Sequence, residues 1–392
     1  MKACIMCGGE GTRLRPLTFE RPKPCIPVAN QPSIAHLVTH LADLGFTDIV
    51  ITIGYLGDDI QKALGDGSLY GANITYVSEE VKLGTAGSVK NAQKYLEDAP
   101  FLVVGGDHMT DLNVLEFYRD HMASPAVTSI GLISIEDPRE FGIAEIDANL
   151  RIRRFREKPA PGEIFSNLAS TGIYVCDPMI FDYIPENTKF DFAKDLFPLL
   201  MERGFQINGW LARGNWTDVG NPAMLRAAEK WKLQENTATS IAGSLNVKDA
   251  HIAGPVTFGD GITLGAGSRV VGPVLVGNGV TIGENVIIGP YTSIGDNCVI
   301  KSGAKIFSSS IYSGVVIGKE TTVSGSILDI NTTIGDDCSI EHNTVIGPRC
   351  VLRSGITIHS GVRIWPDVIV EEHAVVKENI LNDRYDTKAD GS

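Results

Sequence analysis

Residues 8–24 read Gly-Gly-Glu-Gly-Thr-Arg-Leu-Arg-Pro-Leu-Thr-Phe-Glu-Arg-Pro-Lys-Pro. The run follows the apolar stretch Ala3–Cys7, whose pattern predicts a buried first β-strand. Gly8, Gly9 and Gly11 therefore stand where a strand ends and a loop begins. Glycines there let the backbone approach a ligand closely and aim several N–H groups at one anion. Arg13 and Lys23 add two positive charges within the same segment. Bare amides with an Arg and a Lys suit a polyphosphate, and the mononucleotide end of an open α/β sheet is where such a loop belongs. An ordinary glycine-rich turn would have no need of Arg and Pro-Lys-Pro in register with the glycines.

Working outward, residues 1 to about 235 alternate two patterns. Apolar runs at Ala3–Cys7, Ile49–Ile53, Phe101–Val104, Val127–Ile133, Gly172–Cys176 and Ile207–Leu211 read as strands. Amphipathic stretches such as Ser33–Leu44, Thr85–Leu96, Leu112–His121 and Ala193–Arg203 read as helices. Buried strands alternating with helices predict an α/β fold with a doubly wound, mostly parallel sheet. A helix over 222–235, with Pro222 near its start, closes this region.

After about residue 245 the helical pattern stops and a six-residue period begins. Aliphatic or Phe residues recur at 252, 258, 264, 270, 276, 282, 288, 294, 300 and 306, often followed by Gly. The phase slips by one near 306–311 and again at 328, then runs on to 376. This is the hexapeptide pattern of a parallel β-helix, each aliphatic residue pointing into a stacked core. The expected division is a catalytic domain at 1–235, a linker at 236–250, a β-helix at 251–380 and a mobile tail at 381–392.

Hydrophobic content of 43% and charged content of 21% are those of a globular protein. The formal net charge of -13 argues against nucleic acid or an anionic membrane as partner. Such a chain must focus positive charge locally to bind polyphosphate, and Arg13, Lys23, Lys158 and Lys194 can do so. No run of 18 apolar residues and no signal-peptide pattern are present, so a cytoplasmic protein is expected. The seven cysteines, scattered mostly in apolar strand patterns, read as reduced thiols. Cys4-Ile-Met-Cys7 has C-x-x-C spacing but lies along a strand, which favours core packing over zinc or redox chemistry.

The 8–24 string resembles the N-terminal signature of the sugar-1-phosphate nucleotidylyltransferases, and further motifs of that family follow in order through about residue 235. It differs in spacing from a Rossmann fingerprint and lacks the Gly-Lys-Ser/Thr of a Walker loop. The resemblance implies a fold of the nucleotidyltransferase type followed by a left-handed β-helix of about seven coils. It implies an NTP and a hexose-1-phosphate as substrates, and Mg²⁺ as cofactor.

Residue by residue, it implies that Gly8, Gly9, Gly11 and Thr12 hold the nucleotide phosphates, with Gly84 and Thr85 of Leu-Gly-Thr-Ala-Gly meeting base and ribose. Asp107 ends the Phe101–Val104 strand pattern, where doubly wound sheets place ligands, and a carboxylate there suits Mg²⁺. The resemblance pairs it with Asp218 of Trp216-Thr-Asp-Val-Gly220 as the second metal ligand. It assigns Gly142, Glu157, Lys158, Thr171 and Lys194 to the sugar phosphate, and Arg13 and Lys23 to the reacting phosphates. Lys194 near a helix start opposes the macrodipole, which makes sense if it reaches out to a phosphate. Glu79 and Glu80 read as surface residues, although one could accept from a guanine amine.

The N-terminal half is most similar to mannose-1-phosphate guanylyltransferases, which implies GTP and mannose-1-phosphate. Ser170-Thr-Gly172 departs from their Asn-Ala-Gly, and Asp191-Phe-Ala-Lys-Asp195 is similar to adenylyltransferases. Glucose-1-phosphate uridylyl-, thymidylyl- or adenylyltransfer therefore stays open. So does a non-catalytic regulatory subunit, although Arg13, Lys23 and Asp107 are all retained. A β-helix acetyltransferase finds no motif around His342 or His359. The family resemblance further implies a homo-oligomer with contacts through the β-helix.

Overall fold

The computed structural model describes residues 1–386. The chain divides into two compact units. The first comprises Met1–Glu10, Pro22–Cys25 and Pro32–Asp218; the second comprises Gly11–Arg21, Ile26–Gln31 and the chain from Val219 onward. The glycine-rich signature is thus shared between them, Gly8 and Gly9 in the first and Arg13 in the second.

The first unit is built on a nine-stranded mixed sheet. Its main path runs Ile152–Glu157, Gly142–Ile146, Leu168–Cys176, Phe101–Gly105, Lys2–Cys7, Asp48–Ile53, Asn73–Ser78. Lys2–Cys7 pairs in parallel with both Asp48–Ile53 and Phe101–Gly105, and Asp48–Ile53 with Asn73–Ser78. That half is the parallel sheet expected from the sequence. Leu168–Cys176 runs antiparallel to its neighbours and brings in Thr128–Ser134, which carries Ile207–Leu211 beside it in parallel.

Side chains of the central strands alternate between two cores. Ala3, Ile5, Ile49 and Ile51 enter one; Cys4, Val50 and Val103 enter the other. A strand covered on both faces must be apolar throughout, which is why Ala3–Cys7 shows no polar alternation. The Ser33–Asp43 helix buries Ile34, Leu37, Val38 and Leu41 at helical spacing. It stops at Gly45 with φ 89°, where the Gly45 and Phe46 N–H groups bond back to the Ala42 and Leu41 carbonyls.

The helix expected over Ala193–Arg203 is a wide π-type turn at Phe192–Leu196 followed by a helix at Phe197–Glu202. Such turns recur at functional sites. All seven cysteines are buried, and burial pushes the Cys7 thiol well up, consistent with packing rather than redox chemistry.

The second unit is a three-sided parallel β-helix, three sheets of eight short strands each. One inward column runs Phe258, Val276, Ile294, Ile311, Leu328, Ile346, Ile364, each residue in register with the next. The two phase slips are tightened corners. There Ser309 and Ser326 are buried one above the other, and the Ser326 N–H donates to the Ser309 hydroxyl at 3.2 Å. The stack starts within 236–250, where Ser240–Ile241 and Leu245–Val247 already pair with Thr257–Phe258 and Ile262–Leu264. At the other end, Asp383–Asp386 is a helical turn with Tyr385 buried; the rest of the expected tail, 387–392, lies outside the described residues.

Also in this unit, the Pro222–Gln234 helix is capped by Asn221, whose side chain accepts from the Met224 N–H at 3.0 Å. Arg226 on that helix donates to the Ser310 hydroxyl at 2.7 Å and to the Ser308 carbonyl. Among the described residues no helix is long and apolar enough to cross a membrane.

Candidate active site

Two cavities open beside the first unit's sheet, the larger at the carboxyl ends of its parallel strands. The larger, about 560 Å³, is lined by Gly8, Gly9, Glu79, Gly84, Thr85 and Asp107 among others. The smaller, about 200 Å³, is lined by Gly142, Glu157, Thr171, Lys194, Trp216 and Asp218 among others. Thr85, His108, Gly172, Tyr174 and Asp191 line both, so the two form one cleft. Among the described residues Gly11, Thr12, Arg13, Lys23 and Lys158 line neither cavity.

Asp107 is placed by backbone packing. A Cβ on Gly106 would lie 2.3 Å from the Cys7 sulfur, so only glycine lets this turn lie flat on the first strand. The Lys23 ammonium donates to the Asp107 carboxylate. Burial works to raise the Asp107 carboxyl, but the Lys23 charge, with help from His108, outweighs it and holds the group below its ordinary range. Asp107 is therefore an anion at neutral pH.

His108 stands directly after it, with Nε2 3.7 Å from Asp107 Oδ1 and its ring edge-on to Trp216 at 5.6 Å. Burial lowers its pKa against the opposing pull of Asp107 and Asp218, and its buried Nδ1 has no hydrogen-bond partner among the described residues. The sequence pattern left His108 out of the site, yet its place after Gly105-Gly106-Asp107 was the available signal.

Glu79 and Glu80 both line the larger cavity; Glu80 is exposed as expected, while Glu79 is half-buried, a correction to the expected surface residue. Burial raises its carboxyl, although hydrogen bonds from the Ser88 hydroxyl and the Leu83 backbone oppose the shift. Ser88 also reaches the Thr52 hydroxyl at 2.6 Å. Leu-Gly-Thr-Ala-Gly is held by the segment around Phe190, whose carbonyl accepts from the Ala86 and Gly87 N–H groups at 2.9 Å. Side chains at Gly84 or Gly87 would collide with the Phe190 or Thr188 carbonyl at 2.8 and 2.7 Å. Thr85 adds two 3.2 Å hydrogen bonds to Asp191, from its N–H and its hydroxyl.

In the smaller cavity a Cβ on Gly142 would meet Glu157 Oε2 at 2.8 Å, so the glycine leaves that carboxylate its place. Burial raises Glu157, against the lowering pull of Lys158 and Lys194. Lys158 itself sits in the left-handed region, φ 44°, with its N–H bonded to the Phe141 carbonyl at 3.0 Å. The Thr171 hydroxyl is buried and donates to the Gly131 carbonyl at 2.9 Å. Among the described residues no three His, Cys, Asp or Glu side chains form a ready-made metal cluster. Asp107 and Asp218 line different lobes of the cleft, and Mg²⁺ takes one or two carboxylates and completes its shell with phosphate and water oxygens.

The nucleotidyl transferase family model matches residues 2–235, and the model described as the GMPPB C-terminal domain matches 270–380. The chain is 34% identical to the low-salt glycan biosynthesis nucleotidyltransferase Agl11 of Haloferax volcanii, over 84% of this chain and 91% of that protein. It is 30% identical to mannose-1-phosphate guanylyltransferase 1 of Arabidopsis thaliana, over 97% and 98%. It is also 30% identical to UTP--glucose-1-phosphate uridylyltransferase of Synechocystis, over 91% and 90%. A Bacillus anthracis structure solved in complex with a sucrose matches with TM-score 0.54 and 29% identity, over 58% of this chain and 94% of that one.

The chain belongs to the nucleotidyl transferase family. It is an enzyme of the sugar-1-phosphate nucleotidylyltransferase class, acting on a nucleoside triphosphate and a sugar-1-phosphate.

Proposed function

We propose that the chain transfers a guanylyl group from GTP to mannose-1-phosphate, releasing pyrophosphate. The observation that carries the reaction is the cleft: one lobe has glycine backbone, Glu79 and Asp107, the other has Glu157 and Lys194, and His108, next to Asp107 in sequence, lines both. In this reading a phosphate oxygen of the sugar-1-phosphate forms a bond to the α-phosphorus. The bond from that phosphorus to the pyrophosphate oxygen breaks, and both electrons leave with pyrophosphate. The incoming oxygen is already anionic, so no general base is needed; catalysis is positioning and neutralisation of charge.

The Gly8 and Gly9 amides and Arg13 receive the leaving pyrophosphate. Lys23 neutralises charge at the α-phosphate, and Lys158 and Lys194 orient the nucleophile. Asp107 and Asp218 would hold Mg²⁺, which supplies Lewis acidity and a template for the phosphates when bound. Residues 1–235 carry this chemistry.

Glu79 favours guanine. A carboxylate accepts two parallel hydrogen bonds, and the guanine edge offers N1–H and the exocyclic amine side by side. Uracil and thymine flank their one N–H with carbonyl oxygens that a carboxylate repels. Pyrophosphate release measured over GTP, UTP, dTTP and ATP against mannose- and glucose-1-phosphate tests the reading. The expected best kcat/KM is for GTP with mannose-1-phosphate. A best pair of UTP or dTTP with glucose-1-phosphate would instead favour the second reading, which Ser170-Thr-Gly172 supports. No turnover with any pair would favour the regulatory subunit.

We also infer a cytoplasmic homo-oligomer that associates through the β-helix, where Ile369 and Val375 are both 60% exposed. A full-length monomer in sedimentation would refute the association.

A further inference from the structure

Gly11–Arg21 has little regular structure of its own, a single tight turn at Thr12–Leu14. Its shape comes from the last coils of the solenoid, in the same unit. Arg363, at the start of the Arg363–Ile364 strand, donates from one guanidinium nitrogen to the carbonyls of both Arg13 and Arg15, each at 3.0 Å. Phe19 is buried, with Trp365 at 5.5 Å and Tyr385 at 5.0 Å. Glu20 accepts a two-pronged bond from Arg349 at 2.8 and 2.9 Å and another from the Tyr385 hydroxyl at 2.6 Å. Arg21 donates to the buried Asp329 carboxylate at 3.0 Å.

These contacts do not all act on the same part of the segment. Phe19, Glu20 and Arg21 anchor its trailing end. Arg363 grips the carbonyls on either side of Leu14, which fixes the peptide planes that leave Arg13. Two backbone carbonyls drawn to one cation cannot rotate independently, so the direction in which the Arg13 side chain departs is set by a residue 350 positions away in sequence.

We propose that the solenoid's last coils are the positioning frame of the signature loop, with Arg363 as the positioning residue that aims Arg13. The inference rests on the reading of Arg13 as the group that neutralises pyrophosphate. It gives the β-helix a part in the chemistry without a catalytic residue of its own. An arginine held before the transition state forms gives up less freedom on reaching it, and a misplacement of about 1 Å can cost roughly 100-fold. A change in how these coils are packed would be felt first in phosphate handling.

The test is kinetic, on the full-length chain. R363A should lower kcat, and raise the KM for pyrophosphate in the reverse reaction, by about tenfold or more, while the KM for sugar-1-phosphate stays within about twofold. R363K should restore most of the loss, because both bonds come from one nitrogen and an ammonium has three donors. In an R13A background R363A should add less than about twofold, since the residue through which it acts is gone. Should R363A fail to fold, E20Q loosens the other anchor and should shift the same constants in the same direction. R13A with near-normal turnover would overturn the reading of Arg13 itself. A crippled R13A beside a normal R363A would overturn only the positioning role. So would an R363A effect that multiplies fully with R13A, or one confined to the sugar-1-phosphate KM.

Discussion

The sheet unit and the solenoid differ in how they place many of their buried polar groups. Along the solenoid many are paired with the next coil, while the Thr292 hydroxyl and the Trp365 indole N–H have no hydrogen-bond partner among the described residues. Ser326 donates to the Glu341 carbonyl at 2.6 Å, Thr332 to the Gly347 carbonyl at 3.0 Å and the Cys298 thiol to the Tyr312 carbonyl at 3.1 Å. Around the cleft of the sheet unit, burial instead raises Glu79 and Glu157, and His108 keeps an unpartnered nitrogen. A repeating stack can satisfy most such atoms with the carbonyls of the next coil, and each buried hydrogen bond left unmade costs about 1–3 kcal/mol. A region that must bind and transfer phosphate keeps charge and hydrogen-bonding capacity in reserve for the substrate.

The contrast can be broken most severely at Asp107. D107N should lower turnover by about 10³-fold, roughly 4 kcal/mol of transition-state stabilisation, while the melting temperature changes little. Pyrophosphate release and a thermal melt on the same sample check it; near-normal turnover in a folded D107N would remove Asp107 from the chemistry. The converse experiment strikes the solenoid. Ile300 is 1% exposed in its core, and I300A should cost about 2–5 kcal/mol of stability with no change in sugar-1-phosphate KM below the melt. A large change in that KM would show that the solenoid core is coupled to sugar binding.

Base choice sharpens the comparison at smaller scale. E79Q keeps the shape of the side chain but replaces one acceptor oxygen with a donor. The preference for GTP over UTP should fall by about 5- to 100-fold, the equivalent of about 1–3 kcal/mol. An unchanged preference would exclude Glu79 as the base reader.

The smallest effect is in acid. Hydrogen bonds from Arg349 hold Glu20 and Asp367 below their ordinary values. Depressed carboxyls contribute stability above their unfolded values, about 4.3 for Glu and 3.9 for Asp, and lose it as pH falls through the folded ones. Glu157 has the opposite sign: its raised carboxyl favours the folded state at low pH, and that contribution is lost as pH rises through the raised value. Stability curves against pH should therefore be flatter for E20Q than for the parent protein below about pH 4.3, and steeper for E157Q just above it, through the raised Glu157 value. Identical acid limbs would show that neither group is linked to folding.

Much of the fold could be read because its determinants are local. The central strands are apolar throughout, and the solenoid repeats every six residues for coil after coil. Asn73–Ser78 escaped notice because it is an edge strand with half-exposed side chains, so Ile-Thr-Tyr-Val shows neither a buried run nor a clean alternation. Leu245–Val247 escaped because the first coil lacks the aliphatic-Gly pairs of later ones. The glycines of the candidate site were conspicuous, and the backbone approaches at Gly84, Gly106 and Gly142 explain them. Glu79 and His108 were not conspicuous, since a carboxylate after a strand and a histidine after Asp107 acquire meaning only from the walls around them.

By itself the sequence determined the family and the order of sheet and solenoid, because strand periodicity, hexapeptide repeat and signature string are properties of neighbouring residues. Only the tertiary structure decided that the signature splits at Glu10 and Gly11, Gly8 and Gly9 staying with the sheet and Gly11–Arg21 joining the solenoid. It alone brought Arg363 to the carbonyls of Arg13 and Arg15. Contacts at such separations arise where two surfaces pack, and no local pattern in the chain encodes them.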